Sequence, residues 1–133
     1  GGMFSGAFIS WVSIQTNEEN LPPLTPDAPN GPSSGKINEE YEFTASTRDP
    51  ENQKICYRFD WGDGTVSDWS NLIESEELFK TYHIWEEKGA YSVRVMAKDE
   101  FGASSAWSEP IPISMPKQKN VLLNKLHLFF GGI

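Results

Sequence analysis

The chain has 133 residues and a mass of 15.0 kDa, which suits one domain with appendages, and its 38% hydrophobic and 13% aromatic residues suffice for a packed core. A formal net charge of −8 and a pI near 4.7 exclude the electrostatics of nucleic-acid binding, which needs an excess of Lys and Arg. The single cysteine, Cys56, excludes an internal disulfide and a cysteine-rich zinc site, and its strand-like surroundings predict a buried, inert thiol.

Residues 1–16 form an apolar, uncharged opening. Phe4, Ala7, Phe8 and Trp11 fit helical spacing, whereas the β-branched and aromatic residues from Phe8 to Ile14 favour a strand. Burying Phe4, Phe8, Ile9, Trp11, Val12 and Ile14 would contribute on the order of 10 kcal/mol gross, so this segment needs a surface to cover it. The start lacks an initiator methionine and resembles what remains beside a signal-peptide cleavage site, which leads us to expect a processed chain. No stretch of the sequence reaches the roughly 18 apolar residues of a membrane-spanning helix.

Residues 17–25 read as a proline-rich linker, and prolines continue at 26, 29 and 32, holding an extended path into a first, edge-type strand. From Glu40 the period-two pattern is clear. Tyr41, Phe43 and Ala45 alternate with polar neighbours, and a turn-rich loop over 47–52 precedes a strand from Ile55 to Asp60. Tyr57, Phe59 and Trp61 share one parity while Arg58 and Asp60 take the other. Gly62-Asp63-Gly64 supplies the conformational tolerance and side-chain capping of a tight reversal. Thr65 to Trp69 predicts a short strand, and Leu78 to Trp85 another with Phe79, Thr81 and His83 on one parity. Tyr91, Val93, Val95 and Ala97 then mark the cleanest strand. A hairpin at Asp99–Gly102 leads to a last strand over Ser105–Met115, where Pro110 and Pro112 mark an edge. About seven short strands with frequent turns predict an all-β sandwich over residues 26–115. Residues 116–133 are again apolar: Leu122, Leu126, Phe129 and Phe130 fit one face of a helix, although the same stretch also suits a strand.

Three of these elements, in order, resemble the PKD (polycystic kidney disease) domain family. Phe59-Asp60-Trp61-Gly62-Asp63-Gly64 is similar to the family's aromatic strand ending in Gly-Asp-Gly, with its two aromatics exchanged. His83 to Tyr91, with Trp85 in a tyrosine's place and Gly89 before Tyr91, is similar to its second element. Met96 to Ser104 resembles its third, with Ala97, Asp99, Gly102 and Ser105 out of strict register. The run Met115-Pro116-Lys117 and the apolar segment after it resemble the ending of PKD-containing archaeal surface proteins. The resemblance implies an immunoglobulin-like sandwich, a secreted or cell-surface setting and no catalysis. It leaves both tails uncovered.

The candidate chemistry is sparse. His83, beside Tyr82 and Trp85, reads as a structural histidine rather than a general base, and no serine–histidine–aspartate spacing or Gly-x-Ser-x-Gly motif is present. His127 has no companion ligand for a transition metal. Asp49, Glu51, Asp60, Asp63, Asp99 and Glu100 lie at strand ends where calcium could gather oxygens, but no Asp-x-Asp-x-Asp-Gly loop is present. Capping of the local turns therefore explains them better, and no cofactor is expected. Among the tryptophans, Trp85 and Trp107 fit the core pattern and Trp69 alone reads as an exposed surface for a sugar ring. The apolar tails carry the functional expectation. Sandwich edges accept added strands, so the opening segment predicts donor-strand addition to a neighbouring copy and a homopolymeric extracellular filament or surface layer. The alternative is an adhesive, carbohydrate- or protein-binding accessory module of a larger secreted protein.

Overall fold

The computed structural model of the chain describes residues 19–116. Five strands are named there: β1 (Glu40–Ala45), β2 (Ile55–Asp60), β3 (Phe79–Ile84), β4 (Gly89–Asp99) and β5 (Ile111–Met115). They form two antiparallel sheets, β1–β3 and β2–β4–β5. The long β4 is shared along its length. Its first half, Gly89 to Val93, pairs with Met115 to Ile111 of β5, and its second half, Arg94 to Asp99, pairs with Asp60 to Ile55 of β2.

The period-two alternation decides which side chains meet between the sheets. Phe43 and Ala45 of β1 face Tyr57 and Phe59 of β2, Val93, Val95 and Ala97 of β4, and Ile113 and Met115 of β5, all buried. Trp61 and Trp85, just beyond the ends of β2 and β3, close the core at one end. Their rings meet edge to face at 5.9 Å, and each meets Phe43 in the same manner. Cys56 is buried, and burial pushes its thiol up despite Lys98 nearby.

The short strand expected over Thr65–Trp69 is absent, and the last strand, expected from Ser105, begins at Ile111. Thr65–Trp69 and Ser105–Pro110 run beside β2 and β4 as ribbons that pair every third residue with every second residue of the strand. Ser67 donates its N–H to the Phe59 carbonyl and accepts the Phe59 N–H on its Oγ, and Ser70 does the same for Tyr57. Ser105 and Ser108 repeat the arrangement on Ala97 and Val95. A regular ladder needs equal steps on both chains. Here the serine hydroxyl replaces the backbone acceptor, so the strand edge is satisfied without a strand opposite it.

The edges of β1 and β5 and the start of β2 are covered in different ways. Asn30 exchanges both backbone bonds with Thr44, sealing β1, and Ile73 does so with Ile55 at the start of β2. Ser33 and Gly35 bond to both backbone groups of Ser114, and Ser34 forms a parallel bridge with it, sealing β5. Residues 21–24, expected as linker, lie against the sandwich: Leu21 N–H donates to Glu51, and Leu24 N–H to the Arg48 carbonyl. The expected assembly residues of the two tails, Phe4, Phe8, Ile9, Trp11, Val12, Ile14, Leu122, Leu126, Phe129 and Phe130, lie outside the described residues, as does the helical face expected after Asn120.

Candidate functional site

The Gly-Asp-Gly turn and the end of β3 come together at the end of the sandwich closed by the two tryptophans. Asp60 ends β2 by accepting the Gly62 N–H on Oδ1, while its Oδ2 takes Arg94 Nε and Nη2, both at 3.0 Å. Gly62 has φ +79°, and a Cβ there would lie 2.4 Å from the carbonyl oxygen of Ser92, so the turn and the back of β4 both require glycine. Gly64, at φ +91°, faces open space. Asp63 accepts the Thr65 N–H and hydroxyl on Oδ1, as expected for a turn cap. Its second oxygen accepts a hydrogen bond from His83 Nε2 at 2.8 Å.

That last bond is not legible in the sequence, because the partners are 20 residues apart. It places the His83 ring flat on Trp61, 4.4 Å between centroids and 5° from parallel, and edge-on to Trp85 at 4.6 Å. Trp85, fully buried, donates Nε1–H to the Trp61 carbonyl and stacks on Tyr91. Tyr91 covers Gly89 with its hydroxyl and donates it to the Glu87 carbonyl. The sequence-singled residues from Trp61 to Tyr91 therefore form one interlocked cluster, and Tyr57 and Phe59 continue it into the core.

An open cleft of about 450 Å³ lies against this cluster, lined by Asp63, Thr65, His83 and the turn from Ile84 to Glu87. Burial pushes the Asp63 carboxyl up, but hydrogen bonds from Thr65 and His83 outweigh it and hold the carboxyl below its ordinary value. A histidine held by a carboxylate is half of a nucleophile-activating set. The hydroxyls lining the cleft, those of Thr65 and Tyr91, are both donated elsewhere, to Asp63 and to the Glu87 carbonyl. The pair ties the turn to β3, which is a structural use.

The remaining carboxylates lie at the opposite end. Asp49 accepts the Glu51 and Gln53 N–H groups, and Asp99 accepts those of Phe101 and Ala103, so each caps its own loop. Asn20 joins the two loops, donating to Asp99 and accepting from Gln53. Among the described residues no three His, Cys, Asp or Glu side chains converge as metal ligands.

Trp69 is not the free aromatic surface expected of it. It is half-buried, with Arg58 4.9 Å and Lys98 4.4 Å from its ring centroid. Trp107 lies ahead of β5 instead of within it, and Arg94 sits 4.7 Å from its ring. The signal for this was readable: Ser67-Asp68-Trp69-Ser70 and Ser105-Ala106-Trp107-Ser108 are one pattern used twice. In both copies the serines hold the strand edge and the indole lies under cations from the outer face of the β2–β4–β5 sheet.

Comparison with known proteins places this architecture. The PKD domain of an M14-like peptidase from a Thermoplasmatales archaeon is 37% identical and superposes with a TM-score of 0.69, covering 74% of this chain and all of that one. The CARDB domain of a Pyrococcus furiosus protein, 13% identical with a TM-score of 0.54 over 75% of this chain and all of its own, shares the fold alone. Collagenase ColA of Bacillus cereus is 34% identical over 90 residues, 67% of this chain, and the match spans only 8% of the collagenase's length. The PKD domain family matches residues 27–110, the stretch that holds β1 to β4 and the Trp61–His83 cluster, and the chain belongs to that family.

Proposed function

We propose that this chain is a non-catalytic, extracellular accessory module that binds a polymer or protein partner beside the working unit of a longer secreted protein. The observation that carries the reading is the kind of protein in which its relatives occur. A domain 37% identical to it belongs to an M14-like peptidase, and its counterpart in a collagenase is a small fraction of the enzyme. The interlocked use of His83 and Asp63 agrees with a module that contributes binding instead of bond cleavage. A binding module needs no more than an ordered surface near the substrate, since tethering raises the local concentration of the enzyme it accompanies. Self-assembly into a filament takes second place, because the segments that suggested it lie outside the described residues.

The test is a pelleting assay of the full chain with insoluble collagen, chitin and cellulose. We expect saturable retention on at least one of them. Failure to bind all three, together with concentration-dependent filaments by electron microscopy, would overturn the accessory reading in favour of assembly.

A further inference from the structure

We infer that the outer edge of β3 is a docking site for an extended, basic polypeptide strand, which adds to the β1–β3 sheet as its third member. This rests on the accessory reading above and names its partner class. Every other strand has a covered edge: β1 by Asn30, β2 by Ser67, Ser70 and Ile73, β4 by Ser105 and Ser108, and β5 by Ser33 and Gly35. The outer edge of β3 has no backbone partner among the described residues.

The register identifies the open groups. Thr44 spends both backbone groups on Asn30, so it points away from β3, and its partner Lys80 points away from β1. By alternation the N–H and C=O groups of Lys80, Tyr82 and Ile84 face outward. Trp85 confirms the parity, because its carbonyl accepts Asn38 N–H on the β1 side. The outward run is unprotected. It has no proline and no bulge, and Tyr82 and Ile84 are 52% and 44% exposed. Such an edge is a template for strand addition, in which main-chain bonds supply affinity and flanking side chains choose the partner.

Charge makes that choice here. Glu76 and Glu77 precede β3, Glu86 and Glu87 follow it, and Glu40 and Glu42 lie beside it on β1, all exposed. Lys80 is already engaged with Glu42 at 3.9 Å. A second copy of the chain would bring the same glutamates to the same edge, and residues 8–14 carry no charge to offset them. A strand with apolar or β-branched residues at its centre and Lys or Arg at its ends matches both the edge and its acidic frame.

The experiment is an NMR titration of the ¹⁵N-labelled full chain with two synthetic peptides. Both have a threonine–valine alternating centre of five residues, one with two lysines at each end and the other with two glutamates. We expect the lysine peptide to shift the amides of Lys80, Tyr82 and Ile84, with the glutamate peptide at least ten-fold weaker. Tyr82→Pro removes an outward N–H and an exposed ring but no bond of the β1–β3 pair, and should abolish the shifts. Should that variant lose its near-ultraviolet aromatic signal, the reversal of Glu76, Glu77, Glu86 and Glu87 to Lys, which touches no strand pair, should weaken the lysine peptide ten-fold or more. Equal binding of the two peptides would overturn the inference. So would shifts mapped to another surface, or outward β3 amides already protected from exchange in the free chain by residues 8–14 or by a second copy. A Tyr82→Pro chain that still pellets with a polymer would remove the edge and leave the accessory reading standing, whereas a wild-type chain that pellets with none removes that reading itself.

Discussion

The two glycines of the Gly62-Asp63-Gly64 turn have the same conformational requirement and different surroundings. Gly64 has open space around it, so Gly64→Ala should cost only the intrinsic penalty of a left-handed backbone, about 1–2 kcal/mol. Gly62→Ala adds a methyl group against the backbone of Ser92, and should cost about 3 kcal/mol or more. Urea unfolding of both variants checks the difference. Asp63 gives the acid response. Its folded carboxyl ionises below the ordinary value of 3.8, so the unfolded chain takes up the proton first as the pH falls. The stability it contributes is full above about pH 4 and is lost as the pH drops through the lower folded value. Asp63→Asn should therefore lower stability at neutral pH and flatten the acid limb, as read from urea midpoints at about pH 7, 4 and 2.5. The sequence made the cap on Thr65 legible because Asp63 and Thr65 are neighbours along the chain. It could not supply the His83 bond, which exists only once β3 is folded over the turn.

At the scale of the strands, alternation carried most of the information. Phe43, Tyr57, Phe59, Val93, Val95 and Ile113 are buried as their parity requires, and β1 to β4 lie close to their expected places. The failures are at Thr65–Trp69 and Ser105–Pro110, where two serines three residues apart mimic a strand's hydrogen bonding without its geometry. Alternation cannot detect such a ribbon because its period is not two. The hydroxyls should be worth most where water cannot replace them. Ser108 is buried and accepts the Val95 N–H, so Ser108→Ala should cost about 1–3 kcal/mol and speed exchange of that amide. Ser67, less buried, should cost less on the same change, because solvent can reach the Phe59 N–H. Hydrogen exchange of the two variants measures both effects.

For the whole molecule, the described residues form one core cluster, to which both sheets and both closing tryptophans contribute. A chain cut to residues 19–116 should therefore unfold in a single cooperative transition, with its midpoint within a few degrees of the full chain. Calorimetry of the two chains decides this, and a large loss on truncation would mean that the apolar ends complete the core. The family was legible because its marks are short and local, from Phe59 to Gly64 and from His83 to Tyr91. The open edge was not, because it depends on which neighbour each strand acquires, and pairing partners are set by the topology.

The way Ser33–Gly35 pairs with β5 has a mechanical consequence. The described chain enters beside Asp99, where Asn20 is tied, and leaves after Met115 at the opposite end, beside Gly89. Ser34 and Ser114 are bridged in parallel. Tension applied between entry and exit drags these two segments past one another, so the bonds of Ser114 to Ser33 and Gly35 are loaded together along the pull instead of opening one after another. A module strung between an anchor and a load would thus resist stretching at the seam that also closes its sheet.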